Sequence, residues 1–295
     1  MSKPAASAID SPYLVPFDGS FKQRKAPTSP PKRAPDKEAA KQRLAELVDE
    51  LSDLQKLIYA DNRHALLLVF QAMDAAGKDS TIRAVLSGVN PAGCQVFNFK
   101  QPSREDLDHD FLWRSTRNLP ERGRIGVFNR SHYEEVLVVR VHPEYLQAEK
   151  LPTLPKNLDD LWDERYESIR EHERHLARNG TVIVKFFLNV SRAEQKQRFL
   201  ARLEEPEKNW KFEEGDVSER KHWRAYMQAY EDALNATSRP WAPWYSIPAD
   251  DKHYMRMCVA DVVVRTLKAL KLRYPKVGSK QHWHFRQMQK ALERE

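Results

Sequence analysis

The sequence has few cysteines and no long apolar stretch. Cys94 and Cys258 are the only two cysteines among its 295 residues, which argues against a disulfide framework and is compatible with reducing surroundings. No apolar run approaches the roughly 20 residues that a membrane-spanning helix needs. The N-terminus also lacks the apolar core of a secretion signal. We therefore expect a cytoplasmic protein with no membrane partner.

The positive charge of the chain is concentrated at its two ends. Residues 1–43 hold nine Lys or Arg and four Asp or Glu, and residues 265–295 hold nine and two. The whole chain carries +7, so the stretch 44–264 must carry a net charge of −5. Basic ends are more often features of solubility or nonspecific binding than substrate sites, and we expect no nucleic-acid partner. Binding of an anion would depend on where individual Arg and Lys residues lie.

An aliphatic run that ends in a Gly-Lys step predicts a phosphate-binding loop. The sequence LLLVFQAMDAAGKDSTI predicts a buried strand at 66–70, a turn at 71–77 and a helix from Lys78 onward. The first N–H groups of that helix, together with its positive dipole end, would face an anion. Small residues let the backbone approach phosphate oxygens. The turn supplies Ala72, Ala75, Ala76 and Gly77.

This loop departs in two places from the usual G-x-x-x-x-G-K-[ST] pattern. Ala72 stands where the first glycine is usual, and Asp79 follows the lysine where a hydroxyl normally binds magnesium. Ser80 and Thr81 come slightly later. Asp74, inside the loop, offers the hard oxygen ligand that magnesium favours. The alternative interpretation is a strand, turn and helix with an incidental Gly-Lys step at the surface.

Short apolar runs alternate with helical patterns along the chain, which predicts an α/β fold with a parallel sheet covered on both faces. Further strands are predicted at 94–99, 125–128, 182–188 and 244–247. Asp36 can cap a first helix, and later helices are predicted at 79–86, 105–119, 131–141, 158–178, 192–203, 218–236 and 251–272. We expect one domain at 36–274, an N-terminal arm at 1–35 that wraps the domain or is partly disordered, and a basic tail at 275–295.

Polar residues follow the predicted strand 125–128 in the sequence GVFNRSHYEE. Asn129, Arg130 and Ser131 then stand at the carboxyl edge of the sheet, where ligands bind in open parallel sheets. Beside a phosphate loop, Arg130 would clamp a phosphoryl group through paired N–H donors. Alternatively, Asn129 and Ser131 cap the next helix while Arg130 pairs with Glu134.

A third segment, SRAEQKQRFLARLEEPEKNWKF, combines two arginines with further basic and aromatic residues. Arg198 and Arg202 lie one helical turn apart, so both would reach one phosphate chain. A lid of this kind excludes water and neutralises charge during phosphoryl transfer. Residues 194–219 also carry eight acidic residues, so a solvated helical surface with balanced charges is the alternative.

Histidine and tryptophan suggest further sites but do not define one. The charged helical surroundings of five histidines favour surface or capping roles over metal binding; they are His109, His132, His142, His172 and His175. Trp241 and Trp244 flank a proline-rich turn and are interpreted as core residues rather than as base-stacking residues.

With these segments in place, the chain resembles the family-2 polyphosphate kinases, which move a terminal phosphoryl group between inorganic polyphosphate and nucleotides. The resemblance extends from about Tyr13 to Tyr274. It rests on AMDAAGKDSTI, SGVNPAGCQVFNFKQPS, LDHDFLWR, FNRSHYEEVLVVRVHPE, RFLARLEEPEKNWKF and TSRPWAPWYSIPADDKHYMR. The second and fourth of these blocks resemble the subgroup that accepts both AMP and ADP.

The resemblance implies a thymidylate-kinase-like P-loop core with a five-stranded parallel sheet and a helical lid near 198–217. It implies Mg²⁺ as cofactor, with Mn²⁺ as a substitute, and Asp74 as its ligand. Asp74, Lys78, Asn129 and Arg130 would form the catalytic set. Phosphate would be surrounded by Ala75, Ala76, Gly77, Asp79, Ser80 and Thr81, and the lid would present Arg198, Arg202, Lys208, Trp210 and Lys211.

The expected partners are polyphosphate and adenine nucleotides, with guanine nucleotides as a further candidate, in a homo-oligomer. An ATP-dependent nucleoside monophosphate kinase would share the same loop, strand edge and lid. A regulatory P-loop protein is the non-enzymatic alternative. Against a GTP-dependent switch, the chain contains no N-K-x-D sequence for reading guanine.

Overall fold

A parallel sheet of five strands forms the centre of the computed structural model, which describes residues 8–209 and 214–295. The strands are β1 (Ala65–Gln71), β2 (Cys94–Asn98), β3 (Ile125–Asn129), β4 (Thr181–Asn189) and β5 (Trp244–Pro248). Their spatial order is β2-β3-β1-β4-β5, and all neighbours run parallel. The predicted α/β class and the five predicted strands are confirmed.

Helices connect these strands and flank the sheet. The longer ones are α1 (Lys37–Asp61), α2 (Lys78–Val85), α5 (Glu134–Val141), α6 (Leu158–Arg178), α7 (Arg192–Glu204), α10 (Trp223–Thr237), α11 (Lys252–Ala269) and α12 (Ser279–Leu292). Four short helices are α3 (Arg104–Leu107), α4 (Trp113–Thr116), α8 (Pro206–Asn209) and α9 (Glu214–Glu219). In one group α11 packs against α1 and α2, and in another α10 packs against α5 and α6.

The strand register brings three chain segments to one edge of the sheet. Every residue of β1 and of β3 is buried, as expected for central strands of a covered parallel sheet. Phe70 of β1 is opposite Asn129 of β3, and Asn98 of β2 is opposite Asn129 on its other side. The segments that follow β1, β2 and β3 therefore leave the sheet close together.

Helix α1 begins where the sequence predicts. The Asp36 carboxylate accepts a hydrogen bond of 2.9 Å from the Ala39 N–H, which satisfies one of the free donors of the first turn. Asn62 ends the helix in the left-handed conformation with φ of 51°. Leu47, Leu51 and Ile58 are buried, and they anchor α1 to the rest of the core.

The predicted helix at 105–119 is wrong, because the chain forms α3 and α4 with a turn between them. Ser103 and Asp106 cap α3 reciprocally. Asp110 then accepts hydrogen bonds from the Leu112 N–H through its side chain and from the Trp113 N–H through its carbonyl. Aspartate forms such local turns readily, and here it interrupts the helical pattern.

Three other predicted helices have different limits in the structure. The helix predicted at 131–141 begins only at Glu134, because the Ser131 hydroxyl accepts from the Tyr133 N–H and the backbone turns there first. The segment 218–236 is divided between α9, a 3-10 turn at Arg220–His222 and α10. The helix predicted at 251–272 ends at Ala269.

The described part of the N-terminal arm covers the outer edge of β5. Leu14 forms an antiparallel bridge with Tyr245. The Val15 N–H donates to the Trp244 carbonyl at 2.9 Å, and the Ser246 N–H donates to the Tyr13 carbonyl at 2.8 Å. An exposed strand edge invites pairing with other chains, and the arm blocks this one.

Within the described residues, no helix is both long enough and apolar enough to cross a membrane.

Candidate functional site

The loop between β1 and α2 has a backbone conformation that would suit a bound phosphate. Gly77 caps α2 with φ of 105°, a conformation that strains any residue with a side chain. A Cβ at this position would also lie 3.3 Å from the Met255 side chain. Ala75 likewise has a positive φ, of 60°. The first N–H groups of α2 have no carbonyl partner within the helix, so they can bind an anion.

Lys78 lies across this loop. Its ammonium donates to the Ala72 carbonyl at 2.8 Å, so Ala72 contributes its backbone where the usual pattern has a glycine. Burial lowers the pKa of Lys78, and the positive charge of Arg130 lowers it further, while Asp74 acts in the opposite direction. The cation is therefore held where it is poorly solvated and would be stabilised by an incoming anion.

Arg130 connects the edge of β3 to the loop. Its backbone has φ of 63°, and its N–H donates to the Phe70 carbonyl at 3.0 Å. One guanidinium nitrogen is 2.8 Å from the Asp74 carboxylate and the other is 3.5 Å from Glu134. Glu134 first and then Asp74 raise the pKa of Arg130. The arginine therefore makes the pair with Glu134 that the alternative interpretation expects, and it also reaches the loop after β1.

Asn129 organises the second aspartate of the site. Its amide nitrogen donates to the Asp79 carboxylate at 2.5 Å and to the Asn98 side-chain oxygen at 2.7 Å. The register of the three strands creates this arrangement, since Asn98, Asn129 and the start of α2 meet at one edge. Sequence reasoning missed Asn98, although an asparagine at the end of a predicted strand is an indication that could have been used.

The carboxylates suit a hard cation that is shared with a substrate. Asp74 is about one-third exposed at 31%, and Asp79 is exposed at the start of α2. Among residues 8–209 and 214–295, no three His, Cys, Asp or Glu side chains come together as a metal-binding group. Mg²⁺ commonly takes one or two carboxylates while substrate phosphates and water complete its ligands. The donor set at this loop fits that mode of binding.

The two hydroxyl residues of α2 make contacts other than the usual ones of a P-loop. The Ser80 hydroxyl donates to the Gly77 carbonyl at 3.0 Å. Thr81 is fully buried, and its hydroxyl lies 3.9 Å from the Met255 sulfur. Ser80 thus stabilises the first turn of α2, and Thr81 packs that helix against α11. The backbone N–H groups of the first turn are the donors that would face a phosphate.

The structure places the two predicted lid arginines in different surroundings. Arg198 is buried, and its guanidinium donates to the Ala75, Ala76, Ala249 and Asp250 carbonyls instead of facing solvent. Arg202 lies one turn later with its guanidinium 5.3 Å from the Phe199 ring. Lys208 belongs to α8, and nothing is described of its side chain. Trp210 and Lys211 lie outside the described residues.

Two expectations about conspicuous residues have opposite outcomes. Trp244 is a core residue as predicted, fully buried with its indole N–H donating to Thr237 at 2.9 Å. The surface or capping role expected for His132 is wrong, because the ring is 3% exposed and packs beside Tyr133 and His172. His132 lies in the turn that connects β3 to α5, and its side chain is buried there. Burial lowers the pKa of His132.

Comparison with known proteins gives one consistent result. Residues 34–275 match the family described as Polyphosphate kinase 2 (PPK2). The chain is 58% identical over 245 residues to a Rhodopseudomonas palustris protein named ADP-polyphosphate phosphotransferase, covering 83% of this chain and 85% of that protein. It is 46% identical over 266 residues to the Meiothermus ruber AMP/ADP-polyphosphate phosphotransferase, covering 89% and 94%.

A solved structure supports the same relationship. The crystal structure of polyphosphate kinase 2 from Arthrobacter aurescens TC1 superposes with a TM-score of 0.83 at 36% sequence identity. The match covers 94% of each chain.

Proposed function

The chain belongs to the polyphosphate kinase 2 family, and on that premise we propose that it transfers the terminal phosphoryl group of inorganic polyphosphate to AMP, ADP or both. The reaction is reversible, and the acceptors are adenine nucleotides, with guanine nucleotides as further candidates. The observation that carries this proposal is the convergence of Lys78, Arg130 and Asp74 on one phosphate-binding loop. These groups supply the cations and the metal ligand that phosphoryl transfer requires.

In the proposed mechanism, the protein positions phosphates and compensates their charge. A phosphate oxygen of the nucleotide attacks the terminal phosphorus of polyphosphate in line, and the leaving chain departs on the opposite side. Lys78 and the N–H groups at the start of α2 hold the transferring group, and Arg130 contacts its equatorial oxygens. Direct transfer of this kind needs no covalent phosphoenzyme.

Asp74 is the proposed metal-binding group, and Asp79 is a second carboxylate at the start of α2. Mg²⁺, or Mn²⁺ in its place, would neutralise phosphate charge when bound at this loop. Asp74 would serve as the ligand. Asn129 holds Asp79 in a fixed orientation through the 2.5 Å hydrogen bond, and Arg130 holds Asp74 at 2.8 Å. The pairing with Arg130 fixes the orientation of the Asp74 carboxylate at the loop, where a carboxylate oxygen is the kind of ligand that a hard divalent cation favours.

Two expectations about the whole protein remain proposals. We place the enzyme in the cytoplasm, which agrees with Cys94 and Cys258 both being free thiols. We also propose a homo-oligomer, and light scattering of the purified protein measures its mass directly.

Nucleotide analysis with different phosphate donors tests the proposed function. Purified protein is incubated with magnesium and AMP, and the donor is either polyphosphate or ATP. We expect ADP to form from AMP and polyphosphate with no ATP added, or ATP to form when ADP replaces AMP. Turnover of AMP with ATP alone, and none with polyphosphate, would instead identify an ATP-dependent nucleoside monophosphate kinase.

A further inference from the structure

Helix α7 directs two polar side chains into the interior, toward the phosphate loop. The Ser191 hydroxyl accepts from the Glu194 N–H at 3.0 Å and fixes the start of this helix. Gln195 and Arg198 follow three residues apart, so they lie on the same face. Gln195 is 1% exposed and Arg198 is 8% exposed. Buried groups of this polarity need hydrogen-bond partners, and most of theirs are backbone carbonyls.

All three nitrogens of the Arg198 guanidinium are engaged by protein groups. One terminal nitrogen donates to the Ala75 and Ala76 carbonyls at 3.1 and 2.7 Å. The other donates to the Ala249 and Asp250 carbonyls at 2.6 and 3.2 Å. The Nε donates to Glu194 at 2.7 Å. An arginine has five N–H donors, so this set of five acceptors accounts for its full capacity.

Gln195 extends the same set of contacts by one residue. Its amide nitrogen donates to the Asp74 carbonyl at 2.9 Å, and its amide oxygen accepts from Arg220 at 2.5 Å. Together Gln195 and Arg198 hold the carbonyls of three consecutive loop residues, at positions 74, 75 and 76. We call these two side chains the α7 clasp.

The clasp fixes the side of the loop that faces away from an anion. When successive carbonyls are turned to one side, N–H groups are left to line the other, which is the requirement for binding phosphate. The clasp also spans the positive φ of 60° at Ala75, an uncommon conformation for a residue with a side chain. The Arg198 guanidinium also connects this loop to the segment that follows β5, through its hydrogen bonds to the Ala249 and Asp250 carbonyls.

We propose that Gln195 and Arg198 are positioning residues that hold the phosphate loop for transfer, and that Arg198 is not a ligand of polyphosphate. This inference rests on the proposed function. It assigns Arg198 to the loop backbone, while Arg202, in the next turn, keeps the predicted contact with the polyphosphate chain.

Steady-state kinetics of Arg198→Lys and Gln195→Met test the clasp. A lysine keeps the charge, but its single ammonium cannot hold four carbonyls on two segments. A methionine keeps the size of Gln195 but has no donor for Asp74. Since small displacements of reacting groups cost about 100-fold in rate, we expect kcat to fall by about that factor in Arg198→Lys and the polyphosphate KM to change less than about threefold.

Lys196→Ala is the matched control, because it removes one positive charge from the exposed face of the same helix. We expect wild-type kinetics from this variant. Hydrogen–deuterium exchange of the peptide covering residues 72–81 should be faster in both clasp variants than in wild type or Lys196→Ala. A merely structural role elsewhere would leave exchange in this peptide unchanged.

These measurements distinguish a residue that positions the loop from one that binds polyphosphate. A polyphosphate KM raised about tenfold or more with kcat unchanged in Arg198→Lys would make Arg198 a polyphosphate ligand and overturn the inference. If Arg198→Lys fails to fold, Gln195→Met decides, and wild-type kcat with wild-type exchange in that variant overturns the clasp. If the wild-type protein does not use polyphosphate, the proposed function fails, and loop exchange alone supports or overturns the clasp.

Discussion

At the scale of single residues, two side-chain pairs connect the phosphate loop and the start of α2 to the end of β3. Asp74 pairs with Arg130 at 2.8 Å, and Asp79 accepts from Asn129 at 2.5 Å. Lys78 stands between the two aspartates in sequence and donates to the loop backbone. Each group is therefore oriented by a neighbour before any substrate binds, as preorganised electrostatic stabilisation requires.

Replacing Lys78 by Ala tests the cation of the loop. We expect kcat to fall by at least about 100-fold, because a donor that stabilises charge in the transition state is lost. The thermal unfolding transition should persist, since the ammonium donates to the Ala72 and Met73 carbonyls of its own loop rather than joining distant elements. A variant that keeps most of its turnover would remove Lys78 from the site.

Replacing Asp74 by Asn tests the metal ligand. A neutral amide is a poorer ligand for a hard divalent cation, so the magnesium concentration for half-maximal activity should rise by about tenfold or more. Asp79→Asn is the matched comparison, and its magnesium requirement should rise less. Magnesium titrations of both variants give the answer, and a shift confined to Asp79→Asn would reassign the metal to Asp79.

Much of this site could be predicted because its residues adjoin the ends of buried strands. Lys78, Asn129 and Arg130 follow apolar runs that the sequence predicts to be parallel strands of one sheet. The contacts of Arg198 could not be predicted, because helical spacing gives the face of a residue but not what packs against that face. Gln195 was missed for the same reason, since its partner is a backbone carbonyl 121 positions away.

At the scale of elements, buried charges join α5 to its neighbours. Glu135 of α5 is 3.5 Å from Arg165 of α6 and 3.9 Å from Arg114 of α4. Arg165 also contacts Glu149. Burial first, and then the negative charge of Glu149, raise the pKa of Glu135 to about 7. The carboxyl group thus titrates close to neutral pH.

The raised pKa of Glu135 predicts a pH-dependent stability. A carboxyl that binds its proton more tightly when folded contributes stability below its unfolded pKa of about 4.3, and this contribution is lost as pH rises to about 7. Glu135→Gln cannot ionise, so its stability should not change in this way. The free energy of unfolding of Glu135→Gln minus that of wild type should therefore be larger at pH 8 than at pH 5, by on the order of 1 kcal/mol.

Urea unfolding at the two pH values measures this difference. Glu164→Gln, at an exposed position of α6, is the control and should follow the wild-type curve. If the difference between Glu135→Gln and wild type is the same at pH 5 and pH 8, Glu135 does not titrate in this range.

Element boundaries show where sequence reasoning succeeds and where it stops. The strands were predicted to within one residue at each end because each is an apolar run that the sheet buries. The helix predicted at 105–119 was wrong because Asp110 forms a local turn that an apolar pattern does not reveal. The segment 218–236 is divided by the 3-10 turn at Arg220–His222. In that turn Arg220 donates to Gln195 of α7, a contact that hydrophobic periodicity does not reveal.

At the scale of the whole molecule, the two ends of the chain have a net positive charge and its central stretch has a net negative charge. Residues 265–295 carry +7, whereas residues 44–264 carry −5. Attraction of a long polyanion therefore depends on a few arginines and lysines near the phosphate loop. Contacts of this kind at an exposed surface are screened over roughly 8 Å at physiological ionic strength.

Salt should consequently weaken the use of polyphosphate more than the use of nucleotide. We expect the polyphosphate KM to rise several-fold between about 50 and 300 mM salt, as exposed ionic contacts are screened. The nucleotide KM, measured at saturating polyphosphate, should rise less because a nucleotide carries fewer charges. Equal salt dependence of the two KM values would contradict binding of polyphosphate through exposed ionic contacts.

The most direct measurement is ATP-free transfer by wild type and Lys78→Ala, with polyphosphate, magnesium and either AMP or ADP. We expect wild type to form ADP from AMP, or ATP from ADP, and Lys78→Ala to form at least about 100-fold less in the same time. ATP formed from ADP should exceed any AMP formed, which separates transfer from disproportionation of ADP. No product with either acceptor, equal product from Lys78→Ala, or ATP matched by an equal amount of AMP would contradict polyphosphate-dependent transfer at this loop.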